Sequence, residues 1–358
     1  MPSWPFPPPI TPMEARVAAA LPDRGDWAFE PKWDGFRAVA WSGEVRLDSR
    51  NQRPLLRYFP ELSGPLQALP AGTVVDGEVV VVRGDRLDFD ALQNRLHPAA
   101  SRAARLSRET PATLVAFDLL AADGEDLRPA PFQERRKLLE RLAAMLPPPW
   151  TLTPSTTDRA TALRWFDEFE AAGCDGIVAK RRQGPYVEGK RDMVKVKHRR
   201  TVDCVVGGYR VSADGNGLGS ILLGLYDGQG RLHFIGHCSG LPQRDRAGLL
   251  AEFERIRSAD SFGAEGEVRR PGAESRWSAG KDLSWVPVQP GVVVEVSYDQ
   301  LTGDRFRHAT RFERWRPDKD AAACTLDQLD RPAGPGFTAM VEDPGEPGGA
   351  GGPSKEQI

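Results

Sequence analysis

Hydrophobic and polar residues alternate, or apolar and β-branched residues run together, along several short segments in the first half of the chain. Both patterns are typical of β-strands, half-buried in the first case and buried in the second. The predicted strands are residues 37–41, 45–48, 73–82, 113–120 and 174–180. Gly43 would turn the first into the second, and Gly77 interrupts the third, which indicates a strand pair or a bulge.

Helices are predicted where apolar residues recur at helical spacing. Pro131 opens one helix that continues to about residue 146, and a second runs from an N-cap at Thr157 to Gly173. The side chains expected to face the core from these two helices are Leu138, Leu139, Leu142, Met145, Leu163, Phe166 and Phe169. Shorter helices are predicted at residues 12–21 and 89–96. Strands and helices without regular βαβ spacing favour an α+β domain.

The pattern changes near residue 201, where strands alternate with glycine turns. The predicted strands are residues 202–211, 220–226, 232–238, 292–298 and 305–312. One helix, at about 243–257, lies between the third strand and the fourth. Five strands with a helix in this place predict an oligonucleotide-binding (OB) β-barrel.

The domain boundaries follow from these patterns. Residues 1–200 are predicted to form the α+β domain of antiparallel sheets and helices, and residues 201–332 the OB-fold domain. Residues 333–358 are rich in Pro, Gly and Glu and are predicted to form a disordered tail.

The composition is that of an ordinary globular protein, with 358 residues, 40% hydrophobic and 27% charged residues. No apolar run approaches the roughly 20 residues of a membrane helix, and the proline-rich N-terminus lacks the features of a signal peptide. The four cysteines are scattered, which indicates reduced thiols. We therefore expect a cytoplasmic protein. The net charge of -2 means that any surface for nucleic acid must be a local one.

One segment combines groups suited to phosphate chemistry: Glu30-Pro31-Lys32-Trp33-Asp34-Gly35-Phe36-Arg37. A lysine amine becomes a nucleophile when neighbouring cations or desolvation lower its pKa. Asp34 could orient or deprotonate the Lys32 amine, and the planar fork of Arg37 could hold an anion. Gly35 would permit a turn that other residues would strain.

This segment fits the K-x-D-G-x-R signature of the covalent nucleotidyltransferases, which comprise ATP-dependent DNA ligases, RNA ligases and mRNA capping enzymes. With Glu30 and Pro31 it most resembles the bacterial ATP-dependent DNA ligases, namely the actinobacterial ligase C type and the ligase module of ligase D. The resemblance implies a nucleotidyltransferase (adenylation) domain followed by an OB-fold domain, with the hinge near residues 197–201. It also implies that Lys32 attacks the α-phosphate of ATP and carries AMP.

Further motifs carry the same resemblance. It implies that Glu30 and Phe117 hold adenine, that Glu78 accepts the ribose hydroxyl, and that Arg37 and Arg50 contact phosphate or sugar. Other implied roles concern Asp175 and Lys180, on the family's metal-and-phosphate strand, and Arg311, Arg316 and Lys319, in the motif that orients pyrophosphate.

Two features bear on the phosphates and the metal. Lys195 and Lys197 alternate, so both ammonium groups lie on one strand face, where they could flank the α-phosphate. Asp175 and Glu78 are the expected ligands of Mg²⁺ or Mn²⁺, although most ATP-dependent ligases have glutamate where Asp175 stands.

A basic run lies at residues 180–200, where nine cations against two anions give a local charge of +7. It predicts sequence-independent contact with a phosphate backbone. The resemblance implies a monomer that acts on nicked double-stranded DNA, in repair. Two alternatives are an RNA ligase or GTP-dependent capping enzyme, and a nucleic-acid-binding protein whose catalytic domain is inert.

Overall fold

The computed structural model describes residues 4–97, 99–146, 148–212, 214–242, 246–263, 268–272, 283–330 and 333–345. The chain divides into two compact units between His198 and Arg199. The first unit contains the chain up to His198 and the C-terminal segment from Arg331, and the second contains Arg199–Asp330. The division falls inside the predicted hinge at residues 197–201.

Two sheets build the first unit. One has the strand order Ala15–Val17, Met193–Lys197, Gly176–Arg181, Trp27–Pro31, and only its first pair is parallel. The main path of the other is Arg46–Ser49, Phe36–Trp41, Val74–Arg83, Ala112–Ala122, Glu125–Asp126. Arg86–Leu87 pairs with Val74–Arg83, and Trp150–Leu152 runs parallel to Ala112–Ala122. The ladder between Val74–Arg83 and Ala112–Ala122 shifts register between Asp76 and Gly77, where the sequence predicted an irregularity.

Helices cover these sheets and close the cores. The α-helices of the first unit are Ser63–Ala68, Phe89–Asn94, Ala100–Glu109, Phe132–Ala143, Arg159–Glu168 and Phe337–Glu342. Two 3₁₀ turns, Leu56–Tyr58 and Pro60–Leu62, precede the first of them. Helix Phe132–Ala143 buries Leu139 and Leu142 in one core with residues of the larger sheet.

The second unit is built around an antiparallel sheet. Its main path is Leu232–Cys238, Leu218–Tyr226, Arg200–Val211, Val293–Tyr298, Arg311–Trp315. Smaller elements are the strands Val286–Pro287, Leu301–Thr302 and Arg305–Phe306, the helix Arg246–Arg255, and the 3₁₀ turns Ala321–Ala323 and Leu326–Leu329. The helix lies between the third strand and the fourth in chain order, as predicted. The α+β class and an OB-type second domain are therefore confirmed.

None of the helices in the described ranges is long and apolar enough to cross a membrane.

Several local predictions were wrong. Residues 12–21 contain the strand Ala15–Val17 rather than a helix, because their backbone pairs with Met193–Lys197. Met145 lies beyond the end of its helix and is 69% exposed, and Leu163 is 39% exposed because its helix buries Ala162 and Trp165 instead. That helix is capped by Asp158 rather than by Thr157.

Two further differences concern the C-terminal part. The strand predicted at 305–312 is two strands, Arg305–Phe306 and Arg311–Trp315, because the first of them forms a hairpin with Leu301–Thr302. The predicted disordered tail contains the helix Phe337–Glu342, whose Met340 is fully buried in the first unit. Residues 346–358 of that tail lie outside the described residues.

A buried ion pair joins the helix Phe132–Ala143 to the strand Ala112–Ala122 of the larger sheet. Arg135 donates to both carboxylate oxygens of Asp118, at 2.8 and 3.0 Å, and the two side chains are 0% and 1% exposed. Removing one partner of such a pair leaves a buried charge without compensation.

We therefore expect Asp118→Ala to lower the free energy of unfolding by about 3–5 kcal/mol. The matched control is Glu109→Ala, which breaks the exposed pair between Arg105 and Glu109 and should cost at most about 1 kcal/mol. Urea denaturation, followed by circular dichroism, measures both. Equal losses in the two variants would contradict this assignment.

Candidate active site

A cavity of about 840 Å³ opens in the first unit, a volume typical of sites for small molecules and cofactors. Eight of the predicted catalytic and cofactor-binding residues line it. They are Glu30, Lys32, Arg37, Arg50, Glu78, Phe117, Lys180 and Lys195. The folded chain therefore brings motifs that are distant in sequence to the wall of one cavity.

Lys32 directly follows the strand Trp27–Pro31 and is fixed by backbone hydrogen bonds. Its amide donates to the Gly176 carbonyl at 2.8 Å, and its carbonyl accepts from the Asp175 amide at 2.9 Å. Gly176 has a φ of 138°, and a Cβ there would lie 2.0 Å from the Val196 carbonyl oxygen, so glycine is required. Gly35 is needed for a different reason than the predicted turn: a Cβ there would lie 2.3 Å from the Val79 carbonyl oxygen.

The Asp175 carboxylate lies between two ammonium groups. Its Oδ2 atom is 2.8 Å from Lys32 Nζ and 3.0 Å from Lys197 Nζ. Burial opposes the charge of Asp175, but the two lysines outweigh it and hold the pKa of the carboxyl below its ordinary value. Lys197 is therefore attached to the site through Asp175.

The pKa of Lys32 differs from the sequence-based expectation. Burial alone would lower the pKa of Lys32, but hydrogen-bonded Asp175, together with Glu78 and Asp34, raises it above the ordinary value. The expected lowering was wrong because the nearest charged group is an anion. Asp34, predicted to orient or deprotonate the amine, is one of the anions that raise this pKa.

The pKa values of Glu78 and Lys195, which also lie on the cavity wall, are shifted as well. Burial raises the pKa of Glu78 to about 7, although Arg37 and Lys32 oppose the shift. Burial lowers the pKa of Lys195, and repulsion by Lys32 and Lys197 lowers it further. Both groups therefore respond to a bound phosphate or cation more strongly than solvated side chains would.

Glu30, Lys180 and Phe117 form one side of the cavity. Lys180 Nζ lies 2.7 Å from Glu30 Oε2 and donates to the Phe117 carbonyl at 2.7 Å. It also lies 4.6 Å from the centroid of the Phe117 ring. Burial raises the pKa of Glu30, while Lys180 and Arg136 act against the shift. Lys180 is thus a buried structural cation in this wall.

Arg37 belongs to a network that the sequence analysis did not identify. Its guanidinium forms a bidentate pair with the fully buried Asp76, donates to the Met13 carbonyl at 3.1 Å and lies 4.6 Å from the Phe117 ring centroid. Tyr186 donates to the same carboxylate at 2.6 Å. Asp76 could have been suspected from the sequence, because it lies two residues before Glu78, which was identified as a site residue.

Arg50 is more exposed than the other predicted residues that line the cavity. Its Nη2 atom lies 2.6 Å from Glu14 Oε1, and Arg191 lies 3.3 Å from the other oxygen of Glu14. Glu14 also lines the cavity. Arg50 and Glu14 therefore place a cation and its counter-charge at the cavity wall.

The remaining predicted residues belong to the second unit. Arg316 Nη1 lies 2.9 Å from Asp203 and its Nη2 lies 2.9 Å from Asp318, while Lys319 lies 3.7 Å from Asp203. Hydrogen bonding to Asp318 raises the pKa of Arg316 further above its ordinary value. Arg311 is exposed on the strand Arg311–Trp315.

The two predicted metal ligands, Asp175 and Glu78, do not form a complete metal site by themselves. No group of three or more His, Cys, Asp or Glu side chains that could hold a metal lies within the described ranges. Asp175 already contacts two ammonium groups, while Glu78 is near enough to affect the pKa of Lys32. One or two carboxylates suit a cation that is held mainly by the phosphates of a bound nucleotide.

Two regions of the chain match known protein families. Residues 12–197 match the family described as "ATP dependent DNA ligase domain", and residues 214–319 match "ATP dependent DNA ligase C terminal region". The chain is 48% identical to DNA ligase C2 of Mycolicibacterium smegmatis, covering 91% of this chain and 95% of that protein. It is 34% identical to the multifunctional non-homologous end joining protein LigD of Mycobacterium bovis, covering 82% of this chain and 36% of that one.

A solved structure from a structure–function study of Lig E DNA ligases shares the fold, with a TM-score of 0.53 and 17% identity over 82% of this chain and 94% of that one. The RNA ligase, capping-enzyme and inert binding-protein alternatives are not favoured by these comparisons. Both matched regions and the relatives agree on one class: the chain belongs to the ATP-dependent DNA ligase family.

Proposed function

We propose that the protein seals nicks between a 5′-phosphate and a 3′-hydroxyl in duplex DNA through AMP bound covalently to Lys32. The Lys32 amine attacks the α-phosphate of ATP, the P–N bond forms, and pyrophosphate leaves. AMP then passes to the 5′-phosphate, and the 3′-hydroxyl attacks that phosphate and releases AMP. The observation that carries this proposal is the Lys32 amine on the wall of a nucleotide-sized cavity, 2.8 Å from Asp175.

The cavity residues divide the work of holding ATP. We assign adenine to the side formed by Glu30 and Phe117, and the ribose hydroxyl to Glu78. Lys195, with Lys197 behind it through Asp175, would stabilise charge on the α-phosphate during attack. Arg37 and Arg50 would contact the sugar or the other phosphates, and Lys180 would support the Phe117 side.

The second unit would supply the groups for the leaving pyrophosphate, Arg311, Arg316 and Lys319. Arg316 and Lys319 share Asp203 as a carboxylate partner, so they would have to exchange that partner for phosphate. Mg²⁺ or Mn²⁺, when bound with ATP, would neutralise phosphate charge, and Asp175 and Glu78 are the carboxylates that would hold it.

DNA would be held through its phosphates. Within the basic run, Lys180 and Lys197 are committed to Glu30 and Asp175, whereas Arg181, Lys190 and Arg191 are exposed. Contacts of this kind bind any sequence, as nick sealing requires. The similarity to an end-joining protein supports a role in DNA repair, and we further propose a cytoplasmic monomer.

The first test is the covalent intermediate. Incubation with ATP and a divalent cation should add one AMP to the wild-type protein, and Lys32→Arg should add none because its guanidinium is not a nucleophile at neutral pH. Intact-mass and peptide mass spectrometry measure the adduct. Lys137→Arg, at an exposed position on helix Phe132–Ala143, is the matched control and should adenylate normally. An adduct on Lys32→Arg would refute the assignment.

The pH dependence of adenylation tests the Lys32–Asp175 pair. Because the pKa of Lys32 is raised, the reactive neutral amine becomes more abundant as pH rises, and the single-turnover rate should rise with it, about tenfold per pH unit at most. Asp175→Asn removes the anion, so the rising limb should move to lower pH. Asp175→Glu keeps the charge and should leave the limb near its original position. An upward shift in Asp175→Asn would contradict this pairing.

Glu78 should make nucleotide binding depend on pH near neutrality. Its pKa of about 7 means that the carboxylate, the better acceptor for a ribose hydroxyl, predominates only above that pH. An ATP analogue with a methylene bridge between the α- and β-phosphates should therefore bind more weakly at low pH. Its Kd should be about tenfold higher at about pH 6 than at about pH 8. Glu78→Gln should lose most of this dependence. An unchanged pH profile in Glu78→Gln would exclude this role.

A further inference from the structure

The helix Phe337–Glu342 packs against the residues next to Lys32 and Asp175. Met340 is fully buried in a core that contains Trp33 and Cys174, and Phe337 packs at the edge of that core. The Phe337 and Trp33 rings meet edge to face, with centroids 5.7 Å apart. The Cys174 thiol donates to the Met340 sulfur at 3.3 Å. This helix therefore contacts both chain segments that carry the Lys32–Asp175 pair.

Polar contacts fasten the helix at both ends. The Phe337 amide donates to the Asp85 carbonyl at 2.7 Å, and the Thr338 amide donates to the Asp85 carboxylate at 2.8 Å. Asp85 thus caps the helix from a tight turn elsewhere in the first unit. Beyond the C-terminal end, Asp343 lies 3.1 Å from Arg164. The segment is therefore held in one position rather than resting loosely on the surface.

The chain segments that the helix covers also carry Lys32 and Asp175. Lys32 and Asp175 are tied to each other by the backbone hydrogen bond from the Asp175 amide to the Lys32 carbonyl. Trp33 and Cys174 each adjoin one of these two residues, and both are buried under Met340 and Phe337. The Trp33 indole also donates to Thr153 at 2.9 Å, which fixes the ring that Phe337 contacts. The same two short segments thus carry the reacting pair and the surface that the helix covers.

We propose that residues 333–345 act as a C-terminal clamp that positions the Lys32 nucleophile, with Met340 and Phe337 as positioning residues. The inference rests on the proposed attack of Lys32 on ATP. Misplacement of a reacting group by about 1 Å can cost about 10²-fold in rate, so a loosened clamp should slow the chemical step. ATP binding should be nearly unaffected, because neither residue lines the cavity.

Two full-length variants, Met340→Ala and Phe337→Ala, test the clamp. We expect each to lower the adenylation rate at saturating ATP about tenfold while the KM for ATP changes less than about twofold. Met340→Leu, which keeps the volume, should restore most of the rate. Leu66→Ala is the control for general destabilisation, since Leu66 is fully buried in a different core; it should lower the melting temperature similarly without slowing adenylation.

Amide hydrogen exchange supplies a readout that needs no ATP. The amides of Lys32 and Asp175 are both hydrogen-bonded, and they should exchange faster in Met340→Ala and Phe337→Ala but not in Leu66→Ala. Unchanged rates and exchange in both clamp variants, or an equal loss in Leu66→Ala, would overturn the clamp. If Met340→Ala does not fold, Phe337→Ala serves as the test of the clamp, because the Phe337 ring is only partly buried and its loss should be better tolerated. If the wild type never acquires AMP, the proposed function fails, while the exchange experiment still tests the clamp.

Discussion

The site depends on one buried carboxylate placed between two amines. Asp175 brings the Lys32 and Lys197 ammonium groups within 3.0 Å of a single oxygen, where they would otherwise repel each other. The arrangement places two positive charges together at the site where we propose that ATP binds. Its consequence is that the same contact which organises the pair also favours the protonated form of Lys32, in which the amine cannot make the attack proposed above. Anything that draws Asp175 away from Lys32 would release the amine.

Buried ion pairs recur in the first unit, and each joins different segments of the chain. Arg135 and Asp118 join a helix to the strand Ala112–Ala122, Lys180 and Glu30 fix the side formed by Phe117, and Arg37 and Asp76 attach the strand Phe36–Trp41 to Val74–Arg83. Burying such charges gains little stability once desolvation is counted. Their use here is geometrical, because a bidentate or multiply bonded pair permits one arrangement of the elements that carry it.

The sequence predicted the class of fold, most of the longer strands and eight of the residues that line the cavity, because strand alternation and the motif residues are local signals. It did not predict the partners of those residues. Nothing near Arg37 in sequence indicates that its guanidinium binds Asp76, and the raised pKa of Lys32 depends on Asp175, far along the chain. Residues 12–21 were misassigned because pairing with Met193–Lys197, a long-range contact, overrides their helical spacing. Composition likewise concealed the helix Phe337–Glu342, since glycine and proline surround a short apolar stretch that folds only against the core.

After Asp330 the chain returns to the first unit, so that unit is built from two separate parts of the sequence. In covalent terms the second unit is an insertion, with its entry and its exit both anchored in the same body. A recombinant adenylation fragment that stops at the boundary suggested by sequence would therefore lack part of its own core. Exchange of OB-fold modules between relatives would have to preserve both junctions, so the natural unit of transplantation is the inserted segment and not the C-terminal half.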